Sequence, residues 1–411
     1  MHEKAVEKIQ SKTIGCLKNC IVSNSQPSFD SIATHYYSLE EEVLKTKKLW
    51  LDSSDVFSVL FGQIINAIAA VNQESPVASV NLWDLIGEES GVVLAERISD
   101  TFINTPRNIS LYIPIPSVSK NISENIILSE NLSLEAFNDT QEIPGRYRAV
   151  SLVTTEHEVS KVFLKHSTNG FPASRIENRC LKHSLNALKV ILQQGIFRGI
   201  FVVKKPVLRG LAAFAGLDKH EADKLKAIVV DSPDYSEAVI HAELPMELSF
   251  FLNKIDFNWE LNPIIDSYQK NKFSALVSSV LGIPTKLYES QADEAIRVRA
   301  ASKWCFDSYV TDDDSLSFLQ VCIGLEALLG QDTKNGPLTE TLADRCSYLV
   351  GDDIKGRKTI KEKFKQLYQI RSKLVHGNVT DLDSEHLNMM KWGKTILEVG
   401  IAKEIKNLKL E

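Results

Sequence analysis

Apolar residues recur at three- and four-residue steps through much of this chain, the period of a helix with one buried face. Between Leu39 and Val71 the stripe runs through Leu39, Val43, Leu44, Leu49, Leu51, Val56, Val59, Leu60, Ile64 and Ile65. Asp52-Ser-Ser-Asp55 interrupts it with residue types that end one helix and cap the next. Residues 82–104 predict a further helical piece. Residues 1–30 are mostly polar and close on Asn24-Ser-Gln-Pro-Ser28, which predicts a short helix and then a loop.

From Pro106 the period shortens. Ile109-Ser-Leu-Tyr-Ile-Pro-Ile115 alternates as a strand does, with a proline suited to an edge. Residues 117–145, rich in Ser, Asn and Glu, predict a long loop. Tyr147–Thr155 and Lys161–Lys165 read as strands, and Arg175–Gln194 reads as an amphipathic helix. Gly199–Lys204 and Ala227–Asp231 are short apolar runs typical of buried strands. Leu211–Leu225 has the helix, glycine turn and helix outline of DNA readers. Two short packed helices are the favoured reading, because Ala222 is small where such motifs carry a larger apolar residue and no arginine cluster follows.

After Pro263 the pattern is helical over 264–282, 289–310, 314–330, 338–350, 356–376 and 383–407. Breaks are expected at Gly282-Ile-Pro284, Thr311-Asp-Asp-Asp314, Asn335-Gly-Pro337 and Gly351-Asp-Asp353. Short connections between helices predict a bundle. The expected fold is therefore α+β. A mainly helical region (1–105) and a mixed α/β region (106–262) precede an all-α helical bundle (263–411).

Composition narrows the class. A chain of 411 residues with 44% hydrophobic and 24% charged positions is ordinary for globular domains. The net charge of −6 carries no global signature of nucleic-acid binding. From Leu261 onward Lys+Arg and Asp+Glu balance at 21 each, so the negative excess lies in the first 260 residues. Met1-His-Glu-Lys-Ala5 has no apolar run of a secretory signal, and no segment approaches the ~20 apolar residues of a membrane helix. Cys16 and Cys20 stand four apart, but no second Cys/His pair stands at zinc spacing. Six scattered cysteines fit a reduced, cytoplasmic protein with no metal site. No serine–histidine elbow, phosphate-binding glycine loop or metal-binding histidine pair is present, which disfavours ATP and zinc hydrolysis.

The candidate chemistry gathers at Tyr368-Gln-Ile-Arg-Ser-Lys-Leu-Val-His-Gly377. Arg371 and His376 are five positions apart, so on an ideal helix their side chains start about 140° apart. They meet on one ligand if the last turn unwinds or a second chain completes the site. Gly377 suits a left-handed helix ending. A guanidinium is a planar fork for phosphate, and an imidazole can move a proton near neutral pH. Lys355, Arg357, Lys358, Lys361, Lys363, Lys365, Arg371 and Lys373 crowd the same helix, with Glu362 the only acid among them. By itself that run reads as a solvated lysine face, and beside Arg371 and His376 at the helix end it reads as the footprint of a polyanion site. Tyr368 is placed to stack on an unpaired base or to join the core. Glu326 lies inside the apolar run Val321–Leu329, where a carboxylate needs a partner. Arg345, Arg371 and His376 are the candidates.

Arg371-x4-His376 resembles the R-x4-H motif of HEPN-domain ribonucleases. Ile370–Gly377, together with Gly324-Leu-Glu-Ala-Leu-Leu329 and Leu342-Ala-Asp-Arg345, is similar to the Apea-like branch over the last third of the chain. Ser372 stands where many members carry Asn, Asp or His. The resemblance implies a HEPN-like bundle that forms a homodimer, with two motifs facing one cleft. It implies metal- and cofactor-independent RNA cleavage, with Arg371 and His376 catalytic and Glu326, Arg345 and Ser372 supporting them. Arg357, Lys358, Lys361, Lys365, Lys373 and Tyr368 would hold RNA, with transfer RNA the substrate class the family suggests. It further implies a toxin of anti-phage abortive infection, triggered by a phage protein through the N-terminal region. The alternatives are a non-catalytic binding or dimerisation bundle and a DNA-binding regulator using Leu211–Leu225.

Overall fold

The computed structural model describes residues 2–71, 79–116, 124–137, 143, 162–175, 178–203, 224–231, 239–258, 267–330, 338–379 and 381–409. Their architecture is α+β. Helices α1 (Glu3–Asn19), α2 (Phe29–Lys47), α3 (Ser53–Ala70), α4 (Leu82–Ile86) and α5 (Glu88–Ile103) form an N-terminal unit around its own apolar cluster. Three short strands accompany them, β1 (Ile21–Ser23), β2 (Gln26–Pro27) and β3 (Val80–Asn81), in the order β2-β1-β3.

Two local expectations change here. The expected loop after α1 contains a hairpin whose central residues, Asn24 and Ser25, both have positive φ. That is the turn whose twist matches paired strands. The single helical piece at 82–104 is two helices, because Gly87 takes φ +82 between them. Asp52 and Asp55 do cap α3, each side chain accepting the other residue's backbone N–H. Of the described helices, α3 alone has the length and apolar composition of a membrane span. Its Val56, Leu60 and Ile64 are fully buried in the N-terminal core.

The middle of the chain builds a six-stranded antiparallel sheet in the order β10-β9-β4-β7-β6-β5. The strands are β4 (Arg107–Pro114), β5 (Ile126–Ile127), β6 (Leu132–Ala136), β7 (Val162–Gly170), β9 (Lys226–Asp231) and β10 (Val239–Glu243). Alternation sorts the faces: Ile109, Leu111 and Ile113 enter the main core, while Tyr112 joins Phe163 and Ile228 on the other side. β5 and β6 lie inside the stretch expected to be loop. Leu132 and Leu134 are buried there, so two apolar positions at period two sufficed within a polar segment. A two-stranded pair, β8 (Phe201–Val203) with β11 (Ile255–Phe257), and helix α7 (Met246–Leu252) complete the region. The strand expected at Tyr147–Thr155 and the Leu211–Leu225 segment lie outside the described residues.

Helix α6 (Arg179–Phe197) joins sheet to bundle. Twelve of its nineteen residues are buried, the polar Ser184, Gln193 and Gln194 beside Leu181, Leu188, Ile191 and Leu192, so it is covered on several sides, while Arg179, Lys182 and His183 stay exposed. The bundle follows as α8 (Ser267–Glu289), α9 (Asp293–Val310), α10 (Asp314–Leu329), α11 (Leu338–Val350), α12 (Ile354–Val375) and α13 (Ser384–Asn407). One apolar cluster contains the inner sheet face, α6 and the bundle together. The break expected at Gly282-Ile-Pro284 is absent: α8 continues through Pro284 to Glu289. Val277, Leu281 and Leu287 are fully buried on both sides of the proline, and this packing outweighs the lost backbone hydrogen bond.

Candidate active site at the end of a lysine-rich helix

Helix α12 starts on Asp353, whose carboxylate accepts the Gly356 N–H at 2.6 Å. Phe364, Leu367 and Tyr368 are its buried residues. The Phe364 and Tyr368 rings stack at 4.8 Å. Arg371 continues that stripe, at i+7 from Phe364, and so leaves the helix on its packed side. Its guanidinium emerges half-buried and meets Glu326 of α10 at 3.4 Å. Glu326 thus pairs with Arg371, not Arg345. Arg345 instead donates to the Leu329 carbonyl at 2.8 Å and satisfies the end of α10.

The helix ends as its glycine foretold. Gly377 has φ +70, its N–H donates to Leu374 O, and the Asn378 N–H donates to Lys373 O. These two bonds close the last turn and leave His376 as an exposed cap residue. Among the described residues no side chain pairs with its imidazole. Ser372 is exposed, and its carbonyl accepts the His376 N–H. Because α12 keeps its helical form through Val375, Arg371 and His376 stay on different sides of it. Gly377→Ala should cost about 1 kcal/mol in urea unfolding, since alanine resists left-handed backbone. An unchanged midpoint would mean that the ending relaxes freely.

The lysine run is partly neutralised. Lys361 pairs with Asp344 at 2.5 Å and Glu340 at 3.4 Å, and Lys365 also pairs with Glu340. The hydrogen bond to Lys365 holds the Glu340 carboxyl below the usual range. These two lysines therefore bind α12 to α11 instead of facing solvent unpaired. Lys358 and Lys373 are exposed and, among the described residues, carry no ion pair. Lys358 lies about 27 Å along the helix from His376.

Tyr368 is a core residue, 8% exposed, so it offers no stacking face. Burial first, and the Glu326 carboxylate second, raise the pKa of its hydroxyl. The exposed aromatic is Tyr348 on α11, 69% exposed, with the Arg357 guanidinium 4.8 Å from its ring centre. Its position was legible: it falls opposite the buried Leu342, Ala343 and Cys346 on the helical wheel. Tyr348 and Arg345 also line a cavity of about 760 Å³ with Arg297, Lys403 and Lys406. No sequence motif pointed to that group, which three helices bring together.

Gly324, in the run that carries Glu326, has a packing role. A Cβ there would stand 2.6 Å from Leu397 of α13, so glycine lets the two helices close. All six cysteines are free and buried, and burial lifts the Cys16 and Cys20 thiols to about 12 and about 11. Among the described residues no three His, Cys, Asp or Glu side chains gather as a metal site would require. Comparison with protein-family models, curated proteins and solved structures returned no match.

Proposed function

We propose that the chain is a metal-independent endoribonuclease of the HEPN type, acting as a cytoplasmic homodimer. The carrying observation is the pairing of roles at the end of α12. Arg371 is oriented by Glu326 with part of its fork still exposed, and His376 is an exposed imidazole. In this reading the ribose 2′-hydroxyl attacks the adjacent phosphorus and the P–O5′ bond breaks. The leaving oxygen takes up a proton, and the products carry a 2′,3′-cyclic phosphate and a 5′-hydroxyl. His376 moves protons, and Arg371 stabilises the charged phosphorane. The angular separation of the two side chains makes a second copy part of the proposal: one copy's imidazole faces the other copy's guanidinium. Lys358, Lys373 and Arg357 supply phosphate contacts, and Tyr348 offers a face for an unpaired base. Transfer RNA is the proposed substrate class, and abortive defence against phage, triggered by a phage protein, the proposed setting.

The test is cleavage of transfer RNA in a metal chelator by wild type, Arg371→Ala and His376→Ala. Wild type should yield cyclic-phosphate ends. Each variant should lose roughly 10²-fold or more in rate. A mixture of the two inactive variants should regain part of the activity through mixed dimers. Wild type that leaves RNA intact, or variants equal to it, would end the proposal.

The Arg371–Glu326 pair also favours a second reading, in which the bundle is a non-catalytic dimerisation or binding module and the pair holds α10 to α12. Then Arg371→Ala would lower stability, while His376→Ala would change neither stability nor RNA integrity.

A further inference from the structure

Among the described residues, nothing covers one face of helix α3. The stretch Val56–Val71 carries no charged side chain. Val56, Leu60 and Ile64 are buried in the N-terminal core, but Phe57 is 39% exposed and Ile65 48%. Ser58, Gly62, Ile65 and Ala69 are all exposed and follow one another at steps of four, three and four. On an ideal helix these four positions lie within about 60° of one another. Such steps make the seam along which one helix packs on another, knobs entering holes. The Phe57 ring stacks on Phe61 at 4.2 Å and widens the apolar surface toward Phe29, 5.9 Å away, and the exposed Tyr37.

The seam carries one knob and one hole. Ile65 stands out from it, and Gly62 leaves a notch, since a Cβ there would meet nothing within 4 Å. Glycine weakens a helix interior, and no close neighbour among the described residues requires it at this position. In an antiparallel pair of α3 helices whose two-fold axis passes between Gln63 and Ile64, Ile65 of each enters the notch at Gly62 of the other, and Ser58 faces Ala69. Both fits then occur twice, as an isologous interface demands. Charge agrees with this occupant. A surface that meets its own copy brings like charges together, and this stretch has none to bring. A helix that lies on a membrane carries lysine or arginine along its polar face, whereas the single charged residue of α3 is Asp55, buried against Arg175.

We propose that this face docks a second copy of the chain, α3 packed antiparallel on α3 with Ile65 seated at Gly62 in both directions. The contact is separate from the bundle dimer of the proposed nuclease and stands or falls without RNA cleavage. A strip one helix wide is smaller than a standard interface, so the association is weak and belongs to concentrations of about 100 µM.

The test is cysteine cross-linking in the full chain, where all six native cysteines are buried and leave introduced ones to report alone. Ser58→Cys mixed with Ala69→Cys and oxidised should give a covalent dimer. Neither variant alone should, because in the antiparallel pair each position lies roughly 16 Å along the axis from its own copy. Adding Ile65→Glu to both variants should remove the cross-link by setting carboxylates into the uncharged seam. Gly62→Leu should remove it by filling the notch. At micromolar concentration both substitutions should keep the wild-type melting temperature, which separates lost association from lost folding. An unlinked mixture would overturn the proposal, and wild type that then sediments with phosphatidylcholine vesicles would give the face to a membrane. A Ser58→Cys variant that links to itself as well as to Ala69→Cys, or a link that survives Ile65→Glu, would overturn it too.

Discussion

Replacing Arg175 by alanine is expected to lower stability by about 3 kcal/mol at neutral pH, the scale for breaking a buried ion pair. Arg175 reaches from the segment after β7 to the cap of α3, with Asp55 at 2.5 Å and Asp52 at 3.1 Å. Asp55 is 3% exposed. Even with the arginine present, burial lifts the Asp55 carboxyl above its usual range. Without Arg175 that carboxylate would be ionised and uncompensated, or protonated at a cost in free energy. Urea unfolding of Arg175→Ala, Asp55→Asn and the double variant measures this. The double variant should lose less than the sum of the singles, since removing the second partner relieves the first loss. A single-variant loss under about 1 kcal/mol would mean that water screens the pair as it does at a surface.

Acid should unfold the sheet–bundle junction before the rest. His166 on β7 is 4% exposed, with its Nδ1 2.7 Å from the Ser184 hydroxyl and the His183 ring 5.2 Å away. Burial, and then the His183 charge, push His166 down to about 4. His183, whose Nδ1 lies 2.6 Å from the Tyr288 hydroxyl, is also lowered, by burial and by Arg299. The unfolded chain therefore binds protons more readily than the folded one between pH 6.5 and 4. This contribution to stability is fully present above pH 6.5 and is lost as pH falls through 4. For His166 it amounts to about 3 kcal/mol, at roughly 1.4 kcal/mol per pH unit. Stability measured at pH 7, 5.5 and 4 should fall more steeply for wild type than for His166→Gln. Parallel curves would show that His166 is protonated in place without penalty.

The two substitutions probe different junctions. Arg175 ties the N-terminal helical core to the sheet region, and His166 lies where the sheet meets α6 and α8.

Periodicity and punctuation by themselves determined where the last four bundle helices run. Asp313, Asp353 and Asp383 each cap the helix that follows, as acidic N-caps do. Gly377 marked the end of α12 because only backbone geometry, which is local, decides a left-handed residue. The same locality explains the misjudged stop at Pro284: the packing of Val277, Leu281 and Leu287 is not written in the tripeptide that broke the pattern. Helical spacing also placed Arg371 and His376 about 140° apart, and the intact turn preserves that. Tertiary structure alone decided which neighbours face each of them. A helical period states which side of a helix is apolar but not which helix lies across from it. So Glu326 meets Arg371 instead of Arg345, Lys361 and Lys365 are spent on α11, and Tyr348 rather than Tyr368 faces solvent.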